Sequence, residues 1–182
     1  GNVSYTPVRI YFITGVFLMD WSEDMKLKIR KMSELDAFKI LFWQYSPPYD
    51  WYNLEGCEEC LEELLYDEYY SVLNQKEQLI GFFCFGQSAQ VSAGKMEGFY
   101  RDHEYLDIGL GMNPLLCGKG HGASFVQVGM AYAKNHFKAK KLRLTVADFN
   151  QRALKTYQKV GFKEIGEFNS QNIKFKVMSY ED

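Results

Sequence analysis

Three glycines at alternate positions, Gly118, Gly120 and Gly122, follow an apolar run that already carries Gly109 and Gly111, within the stretch YLDIGLGMNPLLCGKGHGA from Tyr105 to Ala123. The chemistry open to such a stretch is anion binding. From about Ser124 to Phe137 the positions Phe125, Val128, Gly129, Tyr132 and Ala133 recur at helical spacing, so the glycines stand where a helix begins and its first amide donors lack partners. Glycine leaves the main chain bare for close approach. The helix dipole adds roughly half a positive charge at that end, which suits a diphosphate. For a glycine cluster taken alone, a tight strand-to-helix turn without a ligand is the plainer alternative.

The spacing excludes two familiar phosphate motifs. A P-loop needs Gly-Lys five residues after its first glycine, with Ser or Thr next; here six residues separate Gly111 from Gly118, and Gly120 follows Lys119. The dinucleotide fingerprint G-x-G-x-x-G fails too, because Gly118-x-Gly120-x-Gly122 is one residue too tight and Pro114 takes the last position counted from Gly109.

A second block, LRLTVADFNQRALKTYQKVGFKEIG, starts at Leu142. Leu142, Leu144 and Val146 alternate as a strand, Asn150 can cap a helix, and Gly161 ends that helix just before Phe162 opens another strand. Asn150, Ala153, Leu154 and Tyr157 share one helix face. Together the two blocks resemble the GCN5-related N-acetyltransferase (GNAT) superfamily, whose R/Q-x-x-G-x-G/A cofactor motif precedes an N-x-x-A-x-x-x-Y-x-x-x-G-F helix. Asn150, Ala153, Tyr157, Gly161 and Phe162 match the second motif throughout; the first lies at Cys117 to Gly122, with Cys117 in place of Arg or Gln. The similarity spans about Lys26 to Tyr180, and its tail half looks like the bacterial branch that holds ribosomal-protein and polyamine acetyltransferases.

The resemblance implies an α/β fold: a mixed, mostly antiparallel sheet with a splayed parallel strand pair, flanked by helices. It implies acetyl-CoA as donor, with the pyrophosphate on backbone amides from Gly118 through Lys119, Gly120, His121 and Gly122 to Ala123, and the pantetheine arm beside Leu110, Gly111 and Met112. It also makes Tyr157 the general acid that protonates the departing thiolate, against the plainer reading of a core tyrosine. The acceptor is then a primary amine on a small molecule, a polyamine or a protein, acetylated directly in a ternary complex. The competing function is a catalytically idle acyl-CoA sensor or interaction domain.

An alkyl ammonium has a pKa on the order of 10 and must lose a proton before it attacks a thioester. Asp107 shares a strand face with Gly109 and Gly111 and is the first candidate base; Glu104, at the strand's start, is the second; a solvated or ion-paired role is the alternative for each. Gly109 and Gly111 weaken a strand unless a bulge there aims an amide, with Met112 N–H as the oxyanion donor, or unless they make room for a bulky neighbour. Asn150 serves as a cap, a ligand of the pantetheine arm, or both. Cys117 near a helix start could form a thiolate, but the diphosphate expected there would oppose it.

The elements that must position these groups read in order. Leu27 to Met32 is a strand, Ser33 with Asp36 caps a helix through Trp43, and Pro47 and Pro48 end it. Asp50 to Tyr70, with eight acids and no Lys, Arg or His, forms one acidic amphipathic helix, either a solvated face or a means of steering a cationic acceptor. Tyr70 to Asn74 and Leu79 to Phe85 make a hairpin, Gly86 to Glu104 is a polar loop long enough to be functional, and Ile173 to Met178 closes the sheet antiparallel.

At 182 residues the chain supports one domain, and a formal charge of -2 with no basic run argues against nucleic acid as a partner. Cys57-x-x-Cys60 lacks the second half of a zinc site, so no metal is expected. All four cysteines read as free thiols, which points to the cytoplasm. Ile10 to Met19 is too short to span a membrane, and residues 1–24 read as a leader or added segment that could supply an edge strand ahead of a domain over 25–182. A monomer or homodimer fits this plan.

Overall fold

In the computed structural model, residues 26–182 are described, so the expected leader and its edge strand lie outside the described residues. Seven strands form a sheet in the order β1-β2-β3-β4-β5-β7-β6: β1 (Lys28–Lys31), β2 (Tyr69–Leu73), β3 (Leu79–Phe85), β4 (Tyr105–Met112), β5 (Lys141–Ala147), β6 (Lys163–Ser170) and β7 (Ile173–Glu181). Neighbours are antiparallel except β4 and β5. That parallel pair holds only from Tyr105 to Asp107, against Lys141 to Arg143. Beyond it β4 pairs only with β3 and β5 only with β7, and the sheet opens into a wedge.

Helices α4 (Gly122–His136) and α5 (Gln151–Lys159) cover one face. Phe125 and Val126 of α4, Leu154 and Tyr157 of α5, and Phe83, Ile108 and Leu144 of the sheet form one buried cluster there. Close approach of α4 depends on Gly129, where a Cβ would lie 2.3 Å from the Phe83 ring, and Phe125 stacks on that same ring at 4.6 Å. On the other face, α1 (Glu34–Leu41) and α2 (Glu58–Tyr66) bury Ala37, Ile40, Leu41 and Leu64 over β2 and β3.

Three elements differ from expectation, the first two for local reasons. Ser33 caps α1 as expected, its hydroxyl accepting from Asp36 N–H, but the helix ends at Leu41, well before Pro47. Phe42 and Trp43 N–H turn to the carbonyls of Lys39 and Ile40, three residues back, so the last turn tightens and closes. The acidic segment is not one helix. Glu55 and Gly56 both take positive φ (52° and 72°), which separates a 3-10 turn at Tyr49–Tyr52 from α2, whose N-cap is Cys57.

The stretch 86–104 is not a loop either. It folds into a 3-10 turn at Gly86–Ala89 and a short helix, α3 (Ser92–Met96), that covers the second half of the sheet. Gly94 lies against the Phe168 ring, Phe99 and Phe168 have centroids 5.6 Å apart, and the Tyr100 and Thr145 hydroxyls are 2.7 Å apart.

The expectation of free cysteines also needs correction. Cys57 and Cys60 are joined by a disulfide across the first turn of α2; Cys84 and Cys117 stay free thiols. The helix geometry brings residues three apart onto one side, so the Cys-x-x-Cys spacing that could not complete a zinc site suffices for a bond between its own members. No cluster of metal-ligating side chains occurs among the described residues. Among them, no helix is long and apolar enough to cross a membrane.

Candidate active site

A single cavity of about 560 Å³ follows the wedge between β4 and β5. Its lining combines the glycine turn, with Gly118, Gly120, Gly122, Arg152 and Thr156; the strand and helix residues Leu110, Met112, Val146, Asn150 and Tyr157; and a largely aromatic lobe of Trp43, Tyr45, Tyr52, Leu54, Phe82 and Phe175, which borders Met112 through Tyr45 and Asn150 through Tyr52.

The turn is built to leave donors exposed. Gly118 and Gly120 take φ of +72° and +84°, the left-handed region that favours glycine, and a Cβ on Gly120 would meet nothing within 4 Å. The first hydrogen bond of α4 runs from Phe125 N–H to His121 carbonyl. From Gly118 to Ser124, His121 aside, no main-chain N–H is committed to an acceptor among the described residues. Thr156 packs under Gly122, and an Arg152 Nη lies 3.0 Å from where a Gly118 side chain would start. Arg152 stacks over the Tyr49 ring at 4.2 Å and has no carboxylate partner among the described residues. Its positive head beside the open amides makes a fitting cradle for linked phosphates.

The middle of the wedge offers main-chain groups. Asn113 N–H donates to Ile80 carbonyl, and β3 and β4 then alternate without a shift from Gly81↔Met112 to Phe85↔Ile108. By that alternation the Leu110 and Met112 polar groups point away from β3, into the wedge. Tyr45 hydroxyl donates to the Met112 carbonyl at 2.8 Å, while Leu110 faces the opening. The continuous register excludes a bulge at Gly109 or Gly111. They make room for neighbours instead: a Cβ on Gly111 would lie 2.3 Å from the Phe82 ring, and one on Gly109 would lie 2.6 Å from the Cys84 sulfur.

Tyr157 is buried on α5, and burial pushes its phenol well above the ordinary value of 10, so it holds its proton. Its hydroxyl has no hydrogen-bond partner among the described residues, although it lines the cavity. A buried hydroxyl with no protein partner is uncommon and points to a ligand atom. Asn150 is engaged twice: its Oδ1 accepts from Ala153 N–H at 3.1 Å, and its Nδ2 donates to the Tyr52 hydroxyl at 3.1 Å.

The two carboxylates are placed away from the cavity. Asp107, 2 % exposed, accepts from Arg143 Nε at 2.7 Å, Arg143 Nη2 at 2.8 Å and Gln90 Nε2 at 2.8 Å, so both oxygens are taken. Its strand neighbour across the parallel pair is Arg143 itself, which forces the ion pair. Glu104 is bound to Lys141 at 2.9 Å at the far end of β4. Cys117 donates weakly to the Met112 and Asn113 carbonyls, and burial raises its pKa, which disfavours a thiolate. Lys119 is exposed; it and Ala123 belong to the turn without lining the cavity.

Sequence reasoning missed Arg152, Thr156 and the aromatic lobe. The first two had a signal, since they stand four apart on the helix that Asn150 caps. The lobe had none, because its rings come from separate segments.

The described fold and wedge agree with the comparisons. The Acetyltransferase (GNAT) family sequence model matches residues 31–162, and the chain belongs to that family. Its class is thus the acetyl-CoA-dependent N-acetyltransferases. Among solved structures, an acetyltransferase of the GNAT family from Bacillus anthracis superposes with a TM-score of 0.63 at 17% identity, covering 85% of this chain and 94% of that one. Spermidine N-acetyltransferase from Vibrio cholerae, in complex with CoA and spermine, gives 0.57 at 19% identity over 85% and 95% of the chains. A search of curated proteins found no match.

Proposed function

We propose that this protein transfers the acetyl group of acetyl-CoA to a primary amine directly, with both substrates bound in the wedge. The observation that carries this is one continuous cavity joining the glycine turn, where the amides of Gly118, Lys119, Gly120, Gly122, Ala123 and Ser124 have no acceptor among the described residues, the Tyr157 hydroxyl, also without a partner among them, and the aromatic lobe. Acetyl-CoA supplies a thioester, whose carbon–sulfur bond breaks as the amine nitrogen bonds to the carbonyl carbon, one proton leaving the nitrogen and one reaching the sulfur.

The chain's own groups divide this work. Amides from Gly118 to Ala123, with Arg152, hold the diphosphate, and the Leu110 main chain holds the pantetheine arm in strand fashion. Tyr157 keeps a proton at its phenolic oxygen for the sulfur. Asp107 acts as a structural ion-pair member, because a carboxylate with both oxygens occupied accepts no further proton without breaking its pair, and Glu104 pairs with Lys141 ahead of β4.

Release of free thiol from acetyl-CoA, measured over a panel of amines, tests this reading. Amine-dependent release supports transfer, whereas CoA binding without release by any amine supports the idle sensor.

A further inference from the structure

Building on the acetyl-transfer reading, we infer that the aromatic lobe selects a monoamine, one amino group on an aromatic or branched alkyl body, which enters uncharged, and that it rejects polyamines. The lobe's walls are Trp43, Tyr45, Tyr52, Leu54, Phe82 and Phe175. Among the described residues no Asp, Glu or His lines any part of the cavity, and its one charged side chain, Arg152, is cationic. The eight acids between Asp50 and Glu68 all lie off the cavity.

A polyamine would bring further ammonium groups into a site where no described residue offers an anion to pair them, and burying an unpaired charge is heavily penalised. Aromatic faces can hold a single cation, but a nucleophilic amine has to present a free lone pair rather than an ammonium. Desolvation by the same walls lowers an ammonium's pKa, so the lobe favours the uncharged form without a carboxylate base. Trp43 and Phe82 lie nearly parallel, 27° apart with centroids at 6.2 Å, and present a broad apolar surface for the amine's body. Tyr45 O–H donates to the Met112 carbonyl, which leaves the phenol oxygen's lone pairs to accept an amine N–H.

The experiment titrates 2-phenylethylamine and, separately, spermidine into the CoA-loaded protein, reading heat and tryptophan fluorescence, with thiol release from acetyl-CoA measured in parallel. Phenylethylamine is expected to bind at least about tenfold more tightly and to give the higher kcat/KM. Trp43→Leu and Trp43→Ala should weaken that binding progressively, by up to about tenfold, with the heat of CoA binding unchanged. Equal or tighter binding of spermidine overturns the inference, as does a CoA-loaded protein that binds neither amine. Absence of heat with CoA itself would instead bring down the acetyl-transfer reading on which the inference stands.

Discussion

Tyr157 carries its proton because it is buried, and it has no protein partner to lose, so its hydroxyl can be removed without disturbing the fold. Tyr157→Phe should reduce kcat on the order of 10²-fold while the KM for acetyl-CoA and the Tm stay near those of the parent, as steady-state kinetics and thermal melts will record. Asp107 behaves oppositely. Removing its partner by Arg143→Met leaves a buried carboxylate unpaired and should cost about 3–5 kcal/mol of stability, read from denaturant unfolding. Glu104→Gln should leave kcat unchanged. Burial also raises the phenols of Tyr45, Tyr69 and Tyr157 above 10 in the folded state, so the proton is held more tightly folded than unfolded. Their contribution to stability is complete below pH 10 and is lost as pH climbs above it; Tm measured between pH 8 and 11 should fall over the upper part of that range. The motif residues Asn150 and Tyr157 were legible in the sequence because helix spacing alone fixes their shared face. The pairing of Asp107 with Arg143 was not, since it depends on the register of two strands separated by a whole helix.

At the scale of elements, β4 joins donor and acceptor ends, and its glycines control the fit. Gly111→Ala places a methyl 2.3 Å from the Phe82 ring, whose edge must then swing toward the lobe. The expected result is a higher KM for the amine with CoA binding retained, checked by kinetics beside calorimetry. Gly129→Ala meets Phe83, which is fully buried and cannot move aside, and should cost about 1–3 kcal/mol by denaturant unfolding. Strand β4, helix α4 and the turn between them could be read from apolar runs and glycines, whose signals are local. The stretch 86–104 could not. Its polar composition reads as a loop, yet a few anchors, Gly94 and Phe99 on Phe168 and Tyr100 on Thr145, fix it onto the sheet through contacts with residues much later in the chain.

Over the whole molecule, the topology places a parallel pair at the centre of an otherwise antiparallel sheet and lets it part after three residue pairs. That parting creates the cavity; the order of elements implied a mixed sheet flanked by helices, and the family resemblance implied the splayed pair. Which side chains would meet in its aromatic lobe was hidden, because Trp43 and Tyr52, Phe82, and Phe175 come from separate parts of the chain and only the fold unites them. The acidic segment was visible as charge but not as place. Because none of its carboxylates lines the cavity, the acceptor's KM should be nearly independent of ionic strength; a KM that rises with added salt would restore electrostatic steering.

Calorimetric titration with CoA and then with pantetheine, which lacks the diphosphate, examines the glycine turn itself. The open amides of Gly118, Lys119, Gly120, Gly122 and Ala123 and the nearby Arg152 predict one CoA per chain, with pantetheine bound on the order of 10²-fold more weakly. Absence of heat with CoA, or equal affinity for the two compounds, would contradict a diphosphate held at that turn.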